Sequence, residues 1–154
     1  MTAEPPSLRE LLRSQRVFPD GMPEFDPAAA PADPVTLFLR WLEAARHDAV
    51  PAPHTMTLAT ADDRGNPSSR VLICKDVDGE GRWHFASSAA SGKGRDLVVN
   101  PAAALSFWWP QQGRQIRVRG AASPAGTQAS AADFLARPPA SGRGAHRAPV
   151  RAAR

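Results

Sequence analysis

Between Thr55 and Gly120 the chain reads as short β segments joined by links too brief for a crossover, and this spacing constrains the fold more than any other feature. MTLATA (56–61) runs into the turn DDRGNP, SSRVLICKD (68–76) follows, and a turn at Asp78–Gly81 leads to RWHFAS (82–87). AAALSFWWP (102–110) is turned by PQQG into RQIRVRG (114–120), where Ile116 and Val118 alternate with Gln115, Arg117 and Arg119. Parallel neighbours need connections of about twelve residues or more, so links this short make the pairs antiparallel. Five strands with one helical connection predict a mainly β fold, a small antiparallel barrel with flanking helices. A doubly wound parallel sheet does not fit.

The helices are signalled separately. Asp33 before Pro34 combines an N-capping carboxylate with proline at the first helical position, and Phe38, Trp41, Leu42 and Ala45 then recur at helical spacing up to His47. That pattern describes a helix laid over a sheet or a barrel end. Ser91 caps a short helix in SGKGRDLVVN, which Asn100–Pro101 ends. Residues 127–136 read as helical, with Phe134 and Leu135 on the buried side and Pro138–Pro139 as the stop. Around these elements, residues 1–32 form an irregular Pro- and Ala-rich arm with a short helix at Leu8–Arg13. Residues 33–141 form one domain, and 142–154 read as a basic, disordered tail.

A formal charge of +4 and a pI near 10.5 suggest a nucleic-acid partner until the charge is located. From Arg137 onward there are five Arg and no acid, whereas residues 1–136 hold fourteen basic against fifteen acidic side chains, a net of −1. A nucleic-acid partner would rest on the tail alone and is not expected. No run approaches the ~18 apolar residues of a membrane span, and the N-terminal residues lack a basic-then-apolar signal pattern, so a cytoplasmic protein is expected.

The lone Cys74 excludes an internal disulfide and, within an apolar strand, reads as an inert buried thiol. The four His are scattered without metal-ligand spacing, and no G-x-S-x-G elbow accompanies the serines. A chain with no nucleophile and no metal cluster suits a borrowed cofactor that carries the hard chemistry itself.

The basic residues show where such a group would be held. Arg70 and Lys75 bracket the second strand, and Lys93 and Arg95 lie in SGKGR at a helix start. Free amides at a helix N-terminus and small glycines favour an anion, so a phosphate site fits there, as does an ordinary solvated loop. The Walker A spacing is absent. The row Gln115, Arg117, Arg119 fits either a solvated sheet face or the polar wall of a ligand site or subunit interface. Phe107, Trp108 and Trp109 fit core or interface packing, with stacking on a ligand as the alternative.

The blocks DPVTLFLRWLEAA, MTLATADDRGNPSSRVLICK, WHFASSAASGKGRDLVVNPAAALSFWWP, GRQIRVRG and DFLARPPAS, in this order over residues 33–141, resemble the pyridoxamine 5′-phosphate oxidase family. That family has the FMN-binding split-barrel fold. The leader and the WHFASSAAS–KGR segment are closer to its phenazine-biosynthesis branch. The resemblance implies that Arg70 and Lys93 hold the FMN phosphate, and that Val71, Leu72 and Ile73 run beside the flavin. Lys75 joins the cofactor contacts, while Phe85 and Ala86 stand where Tyr-Thr is usual and keep backbone contact only. Gly92 replaces a second basic residue. Gln115 matches a glutamine that reaches the flavin of the partner subunit, which implies a homodimer with FMN at the interface.

Lys75, Arg137 and Ser141 match substrate-phosphate contacts, but Asp133 replaces a tyrosine, and a carboxylate facing a phosphate repels it. The likeness is expected to stop after Ser141, short of a further strand pair and of an Arg and a His at the active site, as in a truncated or frame-shifted product. No catalytic residue is assigned. The activity implied is that of an FMN-dependent oxidase, in which a small amine or ring substrate gives a hydride to flavin and oxygen accepts the electrons. The alternative is a truncated flavin-binding module without turnover.

Overall fold

Strand β1 (Thr55–Ala61) buries Met56, Leu58 and Thr60 and leaves the residues between them more exposed, and β4 (Ala102–Trp109) does the same with Ala103, Leu105, Phe107 and Trp109. This two-residue period sends one face of each strand into a shared interior. The structure, a computed structural model, describes residues 5–126 and 146–152. β1 pairs antiparallel with β2 (Pro67–Val77) on one side and with β4 on the other. β4 pairs with β5 (Arg114–Ala122), and β2 pairs with β3 (Arg82–Ser87) across a register shift between Cys74 and Asp76. These five strands begin and end within two residues of the spans read from the sequence.

The sixth strand is a correction. Within the segment read as a disordered basic tail, His146–Ala152 forms β6, antiparallel to β3 from Ser87↔His146 to Arg82↔Arg151 and to β5 from Gly120↔Ala152 to Ala122↔Val150. The barrel closes in the order β1-β2-β3-β6-β5-β4. The physical reason is the edge: without β6, β3 and β5 each present a row of unpaired main-chain groups, and main-chain pairing does not require an apolar sequence. The domain therefore runs past residue 141. The helix expected over 127–136 lies outside the described residues, as do Asp133, Arg137 and Ser141.

Helix α2 (Pro34–His47) plugs one end of the barrel. Asp33 caps it by accepting from the amides of Val35 and Thr36, and the apolar stripe then faces inward. Phe38 is buried against Trp83, Phe107 and Trp109, with ring centroids 4.4, 5.1 and 6.0 Å away. The indole N–H of Trp109 donates to the Pro53 carbonyl at 2.9 Å, so a large side chain is buried without an orphaned donor. Helix α3 (Gly92–Val99) crosses the other end, because it joins β3 to β4 and these are not neighbours in the barrel. Helix α1 (Leu8–Arg13) carries a reciprocal Ser7–Glu10 capping box and is exposed throughout. Its arm meets the barrel through Phe18 on Trp108 of β4, and meets α2 through Phe25 on Trp41. Among the described residues no helix is long and apolar enough to cross a membrane.

Strand β3 loses the alternation, since Trp83, His84 and Phe85 are all buried. His84 satisfies one ring nitrogen through Asp78 in the preceding turn: its Nε2–H donates to Oδ2 at 2.8 Å, and Arg82 Nε donates to the same oxygen at 2.7 Å. Burial works against the charged form of Asp78. The hydrogen bonds from His84, Arg82 and the Arg82 and Glu80 amides outweigh it and hold the carboxyl far below its ordinary range.

Two outcomes follow for stability. Phe38→Ala removes a ring from a packed aromatic cluster and should cost ~3–5 kcal/mol in denaturant unfolding. Because the folded-state Asp78 value lies below the unfolded one of ~3.9, its contribution is complete above that pH and is lost as the pH falls below it. Thermal melts between about pH 6 and pH 2 should therefore show a smaller acid-dependent loss for Asp78→Asn than for the wild type.

Candidate functional site

The end of the barrel crossed by α3 gathers two hydroxyls, two cations and a carboxylate. Thr60 is the third inward position of β1, polar where Met56 and Leu58 before it are apolar, and the register Thr60↔Ser68 brings a second hydroxyl beside it. Arg70 is half-buried on β2 between them. Its Nη1 donates to Thr60 Oγ1 at 2.8 Å and to the Leu58 carbonyl at 3.2 Å, and its Nη2 donates to Ser68 Oγ at 2.6 Å. From α3, Asp96 Oδ2 accepts from Thr60 Oγ1 at 2.7 Å and from Ser68 Oγ at 3.3 Å, and lies 4.0 Å from Arg70 Nη2.

The start of α3 supplies the second half. Ser91 Oγ accepts from the Gly94 amide at 3.2 Å and from Lys93 Nζ at 3.1 Å, and donates to the Ser88 carbonyl at 2.6 Å. The first helical amides, those of Gly92 and Lys93, have no intrahelical acceptor. Gly94 is required by close approach, since a Cβ there would stand 2.3 Å from the Ser88 carbonyl oxygen. Burial, and after it the nearby Arg70 guanidinium, push the Lys93 amine below the ordinary lysine value. Two cations close enough to repel, beside a helix N-terminus, are an arrangement whose charge and free amides suit a phosphate or carboxylate group.

The other residues singled out by the sequence are more dispersed. Val71 and Ile73 point outward from β2 and are exposed, while Leu72 is half-buried between them. Lys75 is exposed at the register shift of β2. Phe85 is fully buried in the core and keeps its side chain from any outer ligand, whereas Ala86 is half-buried. Gln115 is exposed on β5 opposite Trp108. It shares the outer face with Val71, for the register Val71↔Thr57↔Ser106↔Arg117 runs across β2, β1, β4 and β5. Within one chain Gln115 and the Arg70 strand are therefore three strands apart. Thr60 and Asp96 were not singled out by the sequence. The signal for Thr60 was available as a polar break in an apolar alternation, whereas Asp96 acquires meaning only once α3 is seen to cross the barrel.

A family model described as pyridoxamine 5′-phosphate oxidase matches residues 42–152, so the likeness continues past Ser141 and through β6. A pyridoxine/pyridoxamine 5′-phosphate oxidase of Polynucleobacter asymbioticus is 42% identical over 80% of this chain and 58% of that protein. One from Pseudomonas paraeruginosa is 40% identical over 84% of this chain and 60% of its own length. The chain thus spans less than two thirds of these curated relatives. Among solved structures, PhzG from Burkholderia lata in complex with tetrahydrophenazine-1-carboxylic acid aligns with a TM-score of 0.72 at 30% identity, over 76% of this chain and 58% of that one. This match supports the phenazine branch. A pyridoxamine 5′-phosphate oxidase-related, FMN-binding protein from Nostoc punctiforme shares the fold, with a TM-score of 0.64 at 15% identity, over 80% and 83% of the two chains. With the family model matching more than two thirds of its length on a split-barrel framework, the chain belongs to the pyridoxamine 5′-phosphate oxidase family.

Proposed function

We propose that the protein is an FMN-dependent oxidoreductase that oxidises a small amine or a partly reduced, carboxylated ring, with oxygen as the final acceptor. The observation that carries this reading is the pairing of Arg70 and Lys93 at the N-terminus of α3 in a member of this family. The donor set suits a phosphate monoester: two cations, the amides of Gly92 and Lys93, and guanidinium hydrogens left over from the bonds to Thr60, Ser68 and Leu58. When bound, FMN supplies the hydride acceptance and the return of electrons to oxygen.

The chain's own residues bind and orient. Arg70 and Lys93 fix the phosphate, and the exposed Val71 and Ile73 beside them offer an apolar edge from which a ring excludes water. Backbone groups of Leu72, Phe85 and Ala86 line the same region in this reading, with Lys75 contacting cofactor or substrate, and Arg137 and Ser141 contacting substrate. Gln115 lies three strand spacings from β2 along the sheet, and the resemblance of GRQIRVRG to the family implies a reach to the flavin of the partner subunit. We therefore assign it to the partner's flavin in a cytoplasmic homodimer with two interfacial sites. A second reading is a flavin-holding module without turnover, which bound flavin with no turnover of a B6 or reduced-ring substrate would select.

Mixing the purified protein with FMN should give a bound-flavin absorbance spectrum at one equivalent per chain, and a colourless protein after desalting would sink the reading. Arg70→Ala and Lys93→Ala should each weaken FMN by ~1.5–3 kcal/mol in a fluorescence titration. A Cβ at position 92 would meet nothing within 4 Å, so Gly92→Arg should restore a second cation and tighten FMN about tenfold. Sedimentation should give a dimer, and a monomer with full FMN affinity would remove the role given to Gln115.

A further inference from the structure

We propose that Asp96 is a positioning residue that presets Arg70 for the phosphate of its ligand, and so sets the preference for a phosphorylated flavin over its dephosphorylated form. The proposal rests on the flavin reading above. Thr60 Oγ1 accepts from Arg70 Nη1 and donates to Asp96 Oδ2, while Ser68 Oγ accepts from Arg70 Nη2 and donates to the same carboxylate oxygen. A single anionic oxygen thus orients two hydroxyls, and the two hydroxyls hold the end of the guanidinium. This network takes stated donors. Both Nη1 hydrogens go to Thr60 and the Leu58 carbonyl, and one Nη2 hydrogen goes to Ser68.

Of the five guanidinium hydrogens, the Nε–H and the second Nη2–H remain without a partner among the described residues. In arginine these two lie on the same side of the plane and form the parallel pair that matches two oxygens of a phosphate. The carboxylate reaches the guanidinium through the two hydroxyls and lies 4.0 Å from Nη2, beyond direct hydrogen-bond distance, so it takes neither of the two open hydrogens. Its repulsion of a bound anion is therefore set against a larger gain. An arginine side chain with four rotatable torsions is held in its binding geometry before the ligand arrives, so binding does not bear that ordering cost.

The test compares FMN with riboflavin, which has the same ring and ribityl chain but no phosphate, by fluorescence titration of the full chain. Wild type should bind FMN at least about 100-fold more tightly than riboflavin, as expected of several charge-assisted hydrogen bonds. Asp96→Asn should lose about tenfold or more of its FMN affinity while riboflavin changes less than about twofold, because only the phosphate contact depends on Arg70. Thr60→Ser, which keeps the hydroxyl, should retain wild-type discrimination. An Asp96→Asn protein that binds FMN as wild type does, or that loses FMN and riboflavin in equal proportion, overturns the proposal. Wild type failing to prefer FMN overturns the phosphate reading of the site instead, before any variant is considered. Should Asp96→Asn not fold by circular dichroism, Ser68→Ala decides: a loss of about threefold or more confined to FMN supports the relay, and unchanged discrimination refutes it.

Discussion

Main-chain pairing of β6 with β3 and β5 is the constraint on which the rest of the molecule depends. Without it the sheet β3-β2-β1-β4-β5 has two open edges, and no common interior forms for Leu58, Phe85, Leu105 and Phe107 to fill. With it the strands enclose one core, and the enclosure has two ends. Phe38 of α2 closes one through its contacts with three aromatic rings. The route from β3 to β4 cannot be a hairpin, so α3 must pass over the other end, and the grouping of Arg70, Lys93 and Asp96 is a product of that passage.

The division of labour between the ends follows from side-chain chemistry. Where α2 lies, Trp83, Phe107 and Trp109 are buried and the one polar indole group finds the Pro53 carbonyl. Where α3 lies, the inward positions turn polar at Thr60, and the interior is finished by a guanidinium and a carboxylate joined through two hydroxyls. A charged group at a barrel end is tolerable because the network satisfies most of it and solvent reaches the remainder.

Much of this was legible in the sequence; Thr60 was passed over despite a local signal, and the omissions of β6 and Asp96 share a cause. The five strands and helices α2 and α3 could be read because turn residues bound short β segments, because Ile116 and Val118 alternate with polar residues, and because Asp33 and Ser91 stand at helix starts. Arg70 and Lys93 were legible from their setting in RVLICK and SGKGR. Strand β6 was not, because HRAPVRA carries two Arg and a Pro and its pairing is made by backbone groups that every sequence has. Asp96 was not, because its partners Thr60 and Ser68 are 36 and 28 residues away. Local pattern reports local causes, and both omissions are long-range.

The strand order also bears on how the barrel comes together in time. β1 with β2, β2 with β3, and β4 with β5 are hairpin or near-hairpin pairings that close after only a few residues of turn. The β3–β6 ladder instead joins segments separated by roughly sixty residues, the most distant pairing in the sheet, and its loop-closure entropy must be met before any of its contacts contribute. Closure by this ladder is thus expected to come after the hairpin pairings, and until it happens β3 and β5 stay open to pairing with another chain. The enclosure that creates the site is also the step at which the protein is most exposed to aggregation.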